Sequence, residues 1–106
     1  MCSNSDPNSR LLFKNTVFSL SVRCDATLNL VELFIHGRFT HDTLYLFRKY
    51  LSHIFENEMN GHQILRINFT KIKLIDSMCF GILQELHFFL KRQGKKLQLV
   101  YLPKNM

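Results

Sequence analysis

Two stretches decide the fold class: Gln63-Ile-Leu-Arg-Ile-Asn-Phe69, followed by Ser77-Met-Cys-Phe-Gly-Ile-Leu-Gln-Glu-Leu-His-Phe-Phe-Leu90. The first is short and dense in apolar residues, which predicts a strand buried on both faces, in a parallel position. In the second, apolar residues recur at helical spacing, and Gly94 is typical of a helix stop. Residues 96–102 read as a further strand. Together these elements predict a right-handed βαβ crossover.

The preceding segments predict a hairpin and a first helix. Residues 17–23 alternate between apolar and polar side chains, as a half-buried strand does, and residues 28–36 form a second such run. A helical stripe follows over residues 44–55, with Thr40 as its predicted N-cap and Asp42 in its first turn. The predicted unit is therefore a hairpin joined to an amphipathic helix.

The predicted order is ββαβαβ, an α/β domain with a four-stranded mixed sheet and two crossover helices. A chain of 106 residues suits one domain. Its polar start, residues 1–13, is predicted to be a flexible N-terminal arm, and residues 14–106 are predicted to form the domain. Residues 70–75 read as a short basic connection between the third strand and the second helix.

The composition and the polar N-terminal residues limit the class of protein to which this sequence can belong. Hydrophobic residues make up 46% of the sequence, which is enough to bury a core and excludes disorder as the main state. No stretch approaches the roughly 18 apolar residues of a membrane span. The first nine residues lack the basic and apolar regions of a signal peptide. The sequence therefore predicts a cytoplasmic protein without a direct membrane span.

Positive charge is concentrated in the second part of the chain. The net charge is +6, and residues 62–106 carry all of the excess, since only Asp76 and Glu85 oppose the basic residues there. Lys71 and Lys73 are a weak candidate for anion binding, while ordinary solvated charge explains the same pattern. Aromatic and basic residues do not interleave as in nucleic-acid modules, so no nucleic-acid partner is predicted.

Catalytic and metal-binding motifs do not occur in the sequence. It contains no CxxC, HExxH, GxSxG or P-loop pattern, and the five histidines are scattered. No nucleophile–base pair stands out either. The sequence therefore predicts a non-enzymatic protein without a metal or cofactor.

The predicted start of the second helix, Asp76-Ser77, has two interpretations. One of these side chains could cap the helix by accepting hydrogen bonds from its free N–H groups. Alternatively, the Ser77 hydroxyl could be phosphorylated, because the positive end of a helix and its free N–H donors favour an anion. Lys71 and Lys73 would add attraction, and Asp76 would oppose it.

Two motifs in this sequence resemble those of the STAS domain, the sulphate-transporter and anti-sigma-antagonist fold. The segment Gly37-Arg-Phe-Thr-His-Asp-Thr43 is similar to the family's Gly-x-Leu-Asp-x-x-Thr element, with Thr40 where the Asp is usual. The segment Ile75-Asp-Ser-Met-Cys-Phe-Gly81 is similar to its Ile-Asp-Ser-Ser/Thr-Gly-Leu-Gly element. Cys79 stands here for the first Gly and Phe80 for the Leu. The resemblance covers roughly residues 15–102.

The resemblance implies a binding switch of the anti-anti-sigma type, the anti-sigma factor antagonists of bacteria. Its partners would be a serine kinase that also acts as an anti-sigma factor and a PP2C-type phosphatase. Ser77 would be the phosphorylated residue. The predicted partner-binding residues are Thr40, His41, Asp76, Met78, Cys79 and Phe80. Two alternatives stay open: a permanently bound structural subunit of a transporter or signalling assembly, and a small nucleotide- or anion-binding domain.

The resemblance also implies one more amphipathic helix after the last strand, where this sequence stops at Met106. Without it, apolar side chains near Phe88, Val100 or Leu102 are expected to be bare. A contiguous bare apolar patch usually marks an interface, so a homodimer or a docked partner helix is predicted there. Alternatively, residues 11–13 of the arm could fold back and cover the gap.

Overall fold

Five strands and two helices follow one another along the chain in the computed structural model, which describes residues 9–103. They are β1 (Ser9–Lys14), β2 (Phe18–Asp25), β3 (Leu30–Phe39), α1 (Leu44–Asn57), β4 (Ile64–Ile75), α2 (Met78–Arg92) and β5 (Lys96–Val100). The strands form one sheet in the order β1-β2-β3-β4-β5. The first two pairings are antiparallel and the last two are parallel.

The predicted α/β class, the hairpin and the two helical crossovers are confirmed, whereas the number of strands is wrong. Residues 9–13, assigned to a flexible arm, belong to β1, which pairs with β2. Residues 1–8 of that arm and residues 104–106 lie outside the described part of the chain. β1 was not predicted because the register of its pairing with β2 shifts between Leu11 and Phe13. As a result, the consecutive residues Leu12 and Phe13 both pack against the core. A bulge of this kind removes the two-residue alternation that identifies a strand.

The third predicted strand is also longer than expected. Residues 70–75, interpreted as a connection, continue β4 and pair with the last part of β3 as far as Phe39 opposite Ile75. Register shifts interrupt this pairing on both sides of His36 and Gly37. The basic residues Lys71 and Lys73 led to the interpretation of this segment as a connection, although charged and apolar residues alternate here as they do in a partly exposed strand.

Both helices pack against one face of the sheet. The core cluster combines alternate residues of the strands, such as Leu20, Leu33 and Ile67, with the buried stripes of α1 and α2. This follows from the topology, because successive right-handed crossovers in one direction along a sheet place their helices on the same side. The opposite face carries Glu32, Asn68 and other polar side chains, and no helix among residues 9–103 covers it.

The helix ends agree with the sequence for α2 and differ for α1. α2 begins after Ser77, carries basic residues in its last turn, and is followed by Gly94 at φ +74°. α1 begins after Thr43, so the predictions that Thr40 is its N-cap and that Asp42 lies in its first turn are wrong. Instead, residues 40–43 form a turn in which the Thr43 N–H donates to the Thr40 carbonyl over 3.0 Å.

Neither helix in the described part of the chain has the combination of length and apolar character that crossing a membrane requires.

Candidate functional site

The two predicted motifs meet at one edge of the sheet, where the parallel strands β3 and β4 both end. The Asp76 N–H donates to the Phe39 carbonyl over 3.1 Å, which ties the start of α2 to the end of β3. Carboxyl ends of parallel strands lie at a common edge, so the turn at residues 40–43 and the segment 76–80 are neighbours. Two segments that are distant in sequence thus form one surface.

Asp76 organises this edge. One carboxylate oxygen accepts the Met78 N–H at 2.9 Å, and the other lies 3.0 Å from Nδ1 of His41. The hydrogen bond from His41 and the backbone N–H of Met78 lower the pKa of Asp76. The same contact with Asp76, helped by the charge of Asp42, raises the pKa of His41. The capping interpretation therefore applies to Asp76, which also clamps His41.

Ser77 occupies the N-cap position of α2, and its side chain makes no cap hydrogen bond there. The residue is exposed. The free hydroxyl is explained by Asp76, whose carboxylate already accepts the N–H of the first helical residue. The Ser77 side chain is therefore exposed to solvent, and its hydroxyl does not cap the helix.

The apolar residues that follow Ser77 differ in exposure. Met78 is 62% exposed, and Phe80 is half-buried against the core. Cys79 is fully buried: its thiol donates to the Phe39 carbonyl over 3.3 Å, and burial raises its pKa to about 11. A thiol in that state is inert. Cys79 therefore supports the edge from within, and the prediction that it contacts a partner is wrong.

Thr40 also departs from its predicted role, because it is only 4% exposed and cannot present its side chain to a partner. Its hydroxyl has no hydrogen-bond partner among the described residues. Thr43, which was not predicted to act here, builds the turn: its hydroxyl donates to the Arg38 carbonyl at 2.8 Å and accepts the Thr40 N–H at 3.1 Å. Thr43 matches the final Thr of the Gly-x-Leu-Asp-x-x-Thr pattern, and that match could have identified it from the sequence.

The basic residues of the second part of the chain do not converge on one site. Lys71 and Lys73 line a groove at the other face of this sheet edge, together with Lys14, His36 and Arg38. Lys95 lies elsewhere, and its Nζ donates to the His62 carbonyl at 2.5 Å. The basic residues that are concentrated in residues 62–106 of the sequence are therefore spread over the surface of the fold. The basic side chains of the groove come from three strands, β1, β3 and β4.

Two of the side chains expected to be bare, Phe88 and Val100, do not lie in one patch, and Leu102 is 38% exposed. Phe88 is 54% exposed and borders an apolar groove between α1 and α2 with Phe55 and Phe89. Val100 is in register with Asn68 on the opposite face of the sheet. The alternative that residues 11–13 fold back and cover this gap is wrong, because they belong to β1, which pairs with β2 and lies at the opposite edge of the sheet from β5.

Among residues 9–103, no group of three or more metal-ligating side chains comes together.

Comparisons with known proteins address the fold alone. No protein-family model matches the chain, and no curated protein matches it. A solved structure described as "Crystal Structure Analysis of Mglu" is similar to it, with a TM-score of 0.60 and 14% sequence identity. The similarity covers 80% of this chain and 20% of that one, so the chain corresponds to about a fifth of the length of the protein it resembles. This chain thus has an α/β fold that also occurs as part of a larger protein.

Proposed function

We propose that this domain is a non-enzymatic bacterial regulatory module of the anti-sigma factor antagonist type, switched by phosphorylation of Ser77. Its partner would be an anti-sigma factor that is also a serine kinase, and a PP2C-type phosphatase would reset the switch. The observation that carries the proposal is the Ser77 side chain, which is exposed at the start of α2 and makes no cap hydrogen bond, because Asp76 already accepts the N–H of Met78. The STAS-like pair of motifs supports the choice of partner.

The contact surface would consist of His41, Asp76, Met78 and Phe80. Met78 contributes the exposed apolar area, and the His41–Asp76 pair contributes polar contacts at its rim. Buried Thr40 and Cys79 would hold these groups in place. Rigid support below a small apolar contact area keeps the ordering cost of binding low.

Phosphorylation would act on the contact and leave the fold intact. It adds about −1.5 to −2 charge units. The N-terminus of α2 tolerates that charge, since helix dipoles favour an anion there by about 0.3–1 kcal/mol. A partner covering Ser77 would have to bury the phosphate beside Asp76. Burial without pairing costs several kcal/mol, and even ~3 kcal/mol weakens binding about a hundredfold.

The experiment combines site mapping with binding to a purified serine kinase of the anti-sigma type from the same genome. We expect phosphate transfer from ATP to Ser77, mapped by mass spectrometry. Ser77→Asp should weaken kinase binding about a hundredfold. Ser77→Ala should bind but accept no phosphate. Thermal melting should differ little among the three proteins.

Ser52 offers a matched control, since it is exposed on α1 and its hydroxyl donates to the Arg48 carbonyl over 3.3 Å. Ser52→Asp introduces the same charge on a different surface and should leave kinase binding unchanged. Equal binding by Ser77→Asp and the wild type would contradict the proposal.

A permanently bound structural subunit is the second candidate, and the apolar groove between α1 and α2 favours it. Phe55 and Phe89 line this groove with ring centroids 5.1 Å apart, and exposed Phe88 borders it. Such a subunit needs an apolar docking face but no modification. Phe88→Ser would release it from its assembly, whereas Ser77→Asp would not.

A further inference from the structure

A groove of about 660 Å³ lies at the end of the sheet between the β1–β2 turn and the last residues of β3 and β4. Its lining includes five basic side chains, from Lys14, His36, Arg38, Lys71 and Lys73, and no acidic one. None of the four lysine and arginine side chains forms an ion pair with a carboxylate in the described part of the chain. Their charges therefore face the groove without compensation.

The walls of the groove are fixed by the backbone. The Arg38 N–H donates to the Val17 carbonyl over 3.0 Å, and a Cβ at Gly37 would lie 2.2 Å from that same oxygen. Gly37 is at φ +87°, a conformation that a side chain would strain. On the other wall, the Asn15 carboxamide oxygen accepts the N–H groups of Val17 and Phe18 at 2.9 and 2.8 Å. A groove held in this way loses little freedom when a ligand enters.

His36 reports the electrostatic character of the groove. Partial burial and the positive charges of Lys71 and Lys14 lower its pKa. Those two lysines approach it from β4 and β1, and its neighbour on β2 is the uncharged Ser19. The two charged groups that act on His36 are both cations, so a bound anion would offset their effect on it.

We propose that this groove binds an organic phosphate, with the phosphate groups held by Lys14, Arg38, Lys71 and Lys73. Val17 and Leu74, which are 45% and 46% exposed, provide an apolar rim for the rest of the ligand. Lysine and arginine bind phosphate oxygens through charge-assisted hydrogen bonds. Phe18 is the only Phe, Tyr or Trp of the lining and is buried, so the groove presents no large aromatic ring of the kind on which successive bases of single-stranded nucleic acid stack.

The test uses titrations of the purified protein followed by amide NMR shifts, with ATP, pyrophosphate and inorganic phosphate as soluble probes. A parallel arm uses phosphatidylcholine vesicles with and without phosphatidylglycerol. We expect shifts at residues 14–19, 36–38 and 71–74 and a rise in the pKa of His36 on binding. Tighter binding of ATP than of pyrophosphate and inorganic phosphate identifies a free organic phosphate, and binding of the anionic vesicles alone identifies a lipid headgroup. Binding of the inorganic probes as tightly as ATP would contradict an organic ligand. Absence of shifts at the groove with every probe would overturn the proposal.

A matched pair of variants separates this site from bulk charge. Lys71→Gln/Lys73→Gln and Lys91→Gln/Lys96→Gln remove the same charge, and all four residues are exposed. We expect the first pair to weaken binding at least about tenfold and the second less than twofold. Equal weakening by both pairs, or tight binding of poly-glutamate in place of the phosphate probes, would contradict a phosphate site.

This site is independent of the proposed switch. Ser77→Ala should bind the phosphate probes as the wild type does. Failure of kinase binding would therefore leave the groove proposal standing, and failure of phosphate binding would leave the switch proposal standing.

Discussion

The two faces of the sheet use different chemistry, although the same strands build both. On the helix-covered face, Leu33 of β3 and Ile67 of β4 are fully buried among apolar neighbours. On the open face, Arg23, Glu32, Arg66 and Gln98 stand in register across four strands. The comparison shows that the first face obtains its stability from burial and the second from paired polar groups.

The pairing on the open face is tight enough to bury a carboxylate. Glu32 is 5% exposed, and its two oxygens accept hydrogen bonds from Arg23 at 2.6 Å and from Asn68 at 3.1 Å. The bond to Glu32 raises the pKa of Arg23. Asn68 in turn accepts the Thr70 N–H at 2.9 Å. Removing one member of such a network leaves the others unsatisfied.

The largest effect is expected on the covered face. Leu33→Ala leaves a cavity in a fully buried site and should lower the free energy of unfolding by about 2–5 kcal/mol. Urea unfolding followed by circular dichroism measures it. Phe34→Ala, one residue along on the half-buried open face, is the control and should cost less. Equal losses would mean that the open face is covered in solution.

An intermediate effect is expected from Glu32→Gln on the open face. In the variant, one of the two carboxylate oxygens at position 32 is replaced by an NH₂ group. This group cannot accept the hydrogen bond that Arg23 or Asn68 donates in the wild type, so one hydrogen bond to the charged carboxylate is lost. We expect a loss of about 1.5–3 kcal/mol in the free energy of unfolding.

The double variant Arg23→Met/Glu32→Met removes both charges and should be less destabilised than Glu32→Gln, because no buried charge is left alone. If the loss in the double variant equals the sum of the losses in Arg23→Met and Glu32→Met measured singly, the two side chains are not coupled, and pairing of polar groups does not stabilise the open face.

The smallest effect on stability is expected for His41 and Asp76, an ion pair in a more exposed setting. The pKa of His41 is raised in the folded state, so its stabilisation is complete below its unfolded pKa and is lost as pH rises through the folded value. The pKa of Asp76 is lowered, so its stabilisation is present above its unfolded pKa and is lost as pH falls through the folded value.

The contribution of this pair is therefore greatest at roughly pH 4 to 6.5, between the unfolded values of the two groups. NMR titration of His41 should show the raised pKa, and Asp76→Asn should return it toward its ordinary value. An unchanged His41 titration in Asp76→Asn would show that the clamp does not form in solution.

Sequence patterns predicted those elements whose side chains repeat regularly. The stripe of α2 and the alternation of β2 reflect burial on one side, and burial leaves a period in the sequence. The pattern failed where the backbone is irregular. The bulge between Leu11 and Phe13 obscured the alternation of β1. The second part of β4 keeps its alternation, and its basic residues led to its interpretation as a connection.

For the candidate site, the residues alone predicted that Asp76-Ser77 begins a helix, because the apolar stripe of α2 starts directly after this pair. The three-dimensional structure was needed to show which of the two side chains caps the helix: one Asp76 carboxylate oxygen accepts the Met78 N–H, the other lies beside the His41 ring, and Ser77 makes no cap hydrogen bond. Likewise, the tertiary structure brought Lys14, Arg38 and Lys71 into one groove, because strands far apart in the chain meet only through the register of the sheet. Local periodicity determines which elements form, and long-range pairing decides which side chains share a site.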